Sequence, residues 1–120
     1  MKRHVTLAVL VILSVYSIAD ARVKIAGRGA KMNFSAESIP EMYRPSFGLM
    51  QVKCIKCHTM ERTVIAVQTG RAPITGQPFN RQAVKAYGIK MLRKPNSDMN
   101  KKEIREMVVL LNYLLDENAK

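Results

Sequence analysis

Cys54-Ile55-Lys56-Cys57-His58 constrains this chain more than any other stretch of it. Two residues between the cysteines let the backbone make one turn, so that both sulfurs face one side while the imidazole projects beside them. That is the pattern of a c-type haem attachment site. The thiols of Cys54 and Cys57 add across two porphyrin vinyl groups, and His58 supplies the proximal iron ligand. Other chemistries use a Cys-x-x-Cys pair. A zinc site would need further ligands, and the chain has only two cysteines and two histidines. A thioredoxin-like dithiol has no need of a His directly after its second Cys. A structural disulfide leaves His58 unexplained. The expected cofactor is therefore a single covalently attached haem c.

The N-terminus carries a second, independent signal. Lys2, Arg3 and His4 precede an almost unbroken apolar run from Val5 to Ile18, and Ala19-Asp20-Ala21 offers small residues for a signal peptidase. The run is shorter than the ~20 residues needed to cross a bilayer, which favours a cleaved signal over an anchor. No Cys stands at the cleavage point, so a lipid anchor is not indicated. Cleavage after Ala21 would remove 21 of the 120 residues and leave 99, one domain's worth of chain. Residues 1–21 are thus expected to be a signal peptide, and the mature protein to be periplasmic or otherwise exported. In bacteria, c-type haem is attached on that side of the membrane.

Charge narrows the partners. The formal net charge is +11, and loss of Lys2, Arg3 and Asp20 with the signal lowers it to +10. For an exported chain nucleic acid is not the expected partner. An acidic redox protein or redox complex fits better, as does peripheral contact with an anionic membrane surface. A merely well-solvated basic surface is the plain alternative. Lys53, Lys56, Arg62, Lys90, Arg93 and Lys94 lie near the proposed haem-binding residues in sequence.

Residues 22–45 read as an N-terminal extension, with Gly27, Gly29, Pro40 and Pro45 and at most one short helix. Residues 46–120 read as the haem domain. Ser46 to Lys53 is expected to lead into the pentapeptide as a helix, with another in Thr59 to Val67. Gly70, Pro73, Gly76 and Pro78 mark a loop. Asn80 can cap a helix carrying Val84, Tyr87 and Met91 on one face, stopped by Pro95. Gly88 shares that face, where a missing side chain would let a flat ring approach; an ordinary helix glycine is the alternative. Asn100-Lys101-Lys102-Glu103 reads as a capping box. Behind it Ile104, Met107, Val108, Leu111, Leu114 and Leu115 make a wide apolar stripe running to about Asp116.

The sixth iron ligand is approached by subtraction. His4 departs with the signal, His58 is committed, and no further Cys exists. Methionine is a thioether donor suited to haem iron. Met60 is too close to His58 to reach the opposite face, and Met107 belongs to the apolar stripe. Met32 and Met42 fall in the extension, and Met50 precedes the pentapeptide. Met99 can staple onto Ile104 just ahead of the capping box. Met91, near a helix end and ahead of Lys94-Pro95, is the preferred distal ligand, with Met99 the alternative and a site open at that position a third reading.

Over about Ser46 to Leu115 the chain resembles class I-type monohaem cytochromes c. The resemblance rests on Cys54-Ile55-Lys56-Cys57-His58, on Ile89-Lys90-Met91-Leu92-Arg93-Lys94-Pro95, and on the closing helix from Glu103 through Tyr113-Leu114. It implies an all-α fold, a small helical domain wrapped round one haem, with His and Met axial ligands and one-electron transfer rather than enzymatic catalysis. A Met-Pro ligand dipeptide is absent, and the pentapeptide begins late in the expected mature chain. The rivals are a haem-relay subunit fixed in a larger redox or photosynthetic complex, and a five-coordinate gas-binding or sensor protein. A peroxidase is disfavoured because no second histidine serves as distal acid or base.

Overall fold

The computed structural model describes residues 23–120; the expected signal peptide and its cleavage point lie outside them. The described residues are mainly helical. A minimal antiparallel hairpin comes first, β1 (Ile25–Ala26) against β2 (Asn33–Phe34), followed by 3-10 turns at Ala36–Ser38 and Glu41–Tyr43. Four helices follow: α1 (Arg44–Lys53), α2 (Met60–Thr69), α3 (Arg81–Arg93) and α4 (Lys101–Asn118).

Local chemistry accounts for most of these limits. Helix α1 starts two residues earlier than Ser46, because Pro45 fits the first turn, where no intrahelical N–H bond is needed. Helix α2 runs to Thr69 and stops on Gly70, whose left-handed φ of 67° lets its N–H reach the Ala66 carbonyl. The side chain of Asn80 accepts from the Ala83 N–H at 2.9 Å and opens α3; Lys94, ahead of Pro95, is extended and closes it. At Asn100 both arms of the capping box are made at 2.9 Å.

Helix α4 lies at the centre, packed against α1, α2 and α3. It buries Ile104, Met107, Leu110, Leu111 and Leu114; Leu110 is added to the expected stripe, and its Val108 and Leu115 are half-buried against the core. Lys101, Lys102, Arg105, Val109 and Asp116 keep a face for solvent. Gly88 of α3 is buried where α3 meets α4, and a Cβ there would stand 3.1 Å from the Ile104 Cγ2 and 3.3 Å from the Val108 Cγ2. The close approach allowed by its missing side chain is therefore that of a second helix. This replaces the expectation of a flat ring.

Residues 23–45 differ most from expectation. Phe34 and Ile39 lie in the same core as Met50, Val64, Val67, Val84 and Leu110, and Tyr43 stacks on Tyr113 of α4 with ring centroids 4.5 Å apart. The segment holds its place by apolar anchors spaced irregularly along 3-10 turns, which is why helical periodicity missed it.

Candidate functional site

The pentapeptide grows directly out of α1. Cys54 to Lys56 continue the chain as a 3-10 turn, and Cys57 keeps right-handed helical dihedrals of φ −116° and ψ −22°. Side chains three residues apart eclipse in such a turn, which sets Cys54 and Cys57 on one side of it. Their surroundings nevertheless differ. Cys54 is half-buried against the core, and that burial pushes its thiol up to about 11. Cys57 is exposed. Both thiols are free.

The Nδ1 of His58 lies 2.9 Å from the Thr59 carbonyl oxygen, which can only accept, so the hydrogen bond is made in the tautomer that carries its proton on Nδ1. The Nε2 lone pair is left for a metal. Ligating histidines have this arrangement: the second ring nitrogen donates to an oxygen that fixes ring and tautomer.

Three features fit the residues to a haem. The two cysteines are three residues apart across one turn, Nε2 of His58 is the ring nitrogen away from the Thr59 carbonyl, and two apolar residues close to them in the chain, Val52 at 61% and Ile55 at 53%, are exposed. Among the described residues, no group of three or more His, Cys, Asp or Glu side chains is placed to hold a bare metal ion.

The methionines fall into distinct settings. Met50, Met60 and Met107 are buried in the core, and Met42 is exposed. Met32 and Met99 are half-buried and packed on that core. Met91 is half-buried in the last turn of α3, outside the core cluster, and its carbonyl accepts from the Lys94 N–H at 3.1 Å.

Sequence reasoning missed the device that joins the pentapeptide to the α3–α4 connection. Asp98 accepts from the Lys53 Nζ at 2.9 Å and the Lys56 Nζ at 2.8 Å. Lys53 also donates to the Asp98 carbonyl and stands 3.8 Å from the Glu103 carboxylate. Hydrogen bonds from Lys56 and Lys53 hold the Asp98 carboxyl down at about 2. The only sequence signal was an isolated acid: Asp98 is the first Asp or Glu after Glu61.

No family model, no curated protein and no solved structure matches this chain.

Proposed function

We propose that this protein is an exported one-electron carrier, holding one haem c through Cys54 and Cys57, with His58 as proximal ligand and Met91 as distal ligand. The observation that carries the proposal is the single turn bearing both cysteines, followed by a histidine whose Nδ1 lies 2.9 Å from the Thr59 carbonyl oxygen. The packing of Met99 onto the core favours Met91 over it.

When bound, the haem supplies a one-electron couple between ferrous and ferric iron, and a thioether ligand favours the reduced state. The chain does the rest. Cys54 and Cys57 would tether the ring, the Thr59 carbonyl would keep the His58 imidazole oriented, and the exposed Val52 and Ile55, close to them in the chain, would offer apolar surface for a ring to cover. Lys85, Lys90, Arg93 and Lys94 are exposed, belong to no ion pair among the described residues, and lie in a stretch with no acid from residue 62 to 97. Such a surface steers an acidic redox partner towards the protein.

The test is to purify the protein from a host that matures cytochromes and record its mass and its visible and near-infrared spectra beside those of Met91→Ala. The expected result is one covalent haem and a methionine-to-ferric charge-transfer band that vanishes in the variant. Apoprotein alone would overturn the reading. A band that persists in Met91→Ala would transfer the ligand to Met99 or to another residue. Ready carbon monoxide binding by the reduced wild type would instead favour an open, gas-binding site.

A further inference from the structure

We infer that Asp98 is a positioning residue that clips the α3–α4 connection onto the pentapeptide turn and so limits how readily the distal ligand leaves. The inference rests on the haem reading above. It holds whichever methionine is the ligand, because Met91 and Met99 stand at the two ends of that connection.

The clip joins parts of the chain 42 and 45 residues apart. Lys53 is the last residue of α1 and Lys56 the last of the 3-10 turn within the pentapeptide, so both belong to the element that carries Cys54, Cys57 and His58. One carboxylate receives both ammonium groups. The Lys53 side chain is only 17% exposed, while the Asp98 carboxylate that holds it is 68% exposed and open to water and salt. Ion pairs reached by solvent in this way weaken as salt rises.

The backbone is committed as well. Asp98 has φ of 52°, the one positive value outside glycine among the described residues. Asp and Asn tolerate this conformation better than other side chains because they are short and bond locally. Beyond the clip, the connection is fixed by Met99, packed on the core, and by few backbone bonds. Its backbone bonds are Lys94 N–H to the Met91 carbonyl and Ser97 N–H to the Lys94 carbonyl, at 3.1 and 3.2 Å, until the capping box begins at Asn100. Releasing Asp98 frees the connection from the His58-bearing turn while Met99 keeps its packing on the core, and a distal thioether carried at either end then dissociates more often.

Asp98→Asn separates charge from backbone, since Asn keeps the positive φ and loses the carboxylate. The haem-loaded ferric protein is titrated with imidazole, which competes with methionine for iron, after the covalent haem has been confirmed by mass. Two lost ion pairs predict an affinity for imidazole raised about tenfold in Asp98→Asn. Lys56→Gln should move it in the same direction by less. Arg81→Gln, which removes a comparable surface pair far from the pentapeptide in sequence, should leave it unchanged. High salt should bring the wild type towards Asp98→Asn. A purely structural role would lower the melting temperature of Asp98→Asn and leave its imidazole affinity unchanged. Equal affinity in wild type and Asp98→Asn therefore overturns the inference. If Asp98→Asn fails to mature, Lys56→Gln and the salt dependence of the wild type decide it by the same criterion. A wild type without covalent haem overturns the haem reading, and the inference falls with it.

Discussion

Residues 33–43 are anchored by Phe34 and Ile39 inside the core, whereas residues 94–100 are held on the pentapeptide turn by Asp98 between two lysines. Both segments lack regular helix, and both cross the surface of the same four-helix body. The first depends on apolar burial, which salt and moderate acid barely touch. The second packs Met99 on the core, but its hold on the pentapeptide turn depends on ions that water, salt and protons all reach. The difference shows where the molecule is built to stay shut and where it can open. The segment that follows Met91 and contains Met99 is the one whose hold can be adjusted.

The largest test of that contrast is Phe34→Ala. Loss of a buried aromatic should cost about 3–5 kcal/mol in denaturant unfolding. A loss below ~1 kcal/mol, the level of an ordinary surface change, would show that residues 33–43 are not part of the core. Gly88→Val tests the helix crossing that precedes the clipped connection. Crowding the Ile104 and Val108 methyls should cost about 1–3 kcal/mol, read from the same transition. A variant as stable as the parent would mean that α3 and α4 re-space freely. Asn100→Ala removes the side-chain cap at the far end of the connection and should cost about 1 kcal/mol with little change in salt dependence.

The smallest effect is the most diagnostic. The Asp98 carboxyl has its ordinary value near 3.8 in the unfolded chain and about 2 in the folded one. Its stabilisation is therefore complete above the unfolded value and is lost as pH falls through the folded value. Wild type and Asp98→Asn should differ in stability at neutral pH and converge as pH drops to about 2. High salt at neutral pH should also close the gap. A gap indifferent to both acid and salt would show that the clip is not ionic, and the contrast with residues 33–43 would dissolve.

Much of the helical framework was legible from neighbouring residues. Asn80 and Asn100 opened helices where their side chains can reach the N–H three residues on, and Pro95 stopped α3 one residue ahead of itself. The pentapeptide was legible for the same reason: a single turn sets the relation of Cys54 to Cys57. The rest was not local. Leu110 lies off the stripe read from the sequence and is buried where α4 is packed by three helices. Phe34 and Ile39 follow no helical or strand period, so nothing near them announced a core position. Lys53 and Lys56 looked like free surface charge because their acid lies more than forty residues away.

By itself, then, the order of residues determined what one turn can settle: where helices begin and end, and that two thiols and an imidazole share a short stretch of backbone. Only the tertiary structure decided which segments meet. It put the hairpin region into the core, turned Gly88 towards α4, and brought Asp98 to the lysines flanking Cys54. Local hydrogen bonds and sterics act over three or four residues and can be read in sequence. Burial and ion pairing depend on packing the whole chain at once.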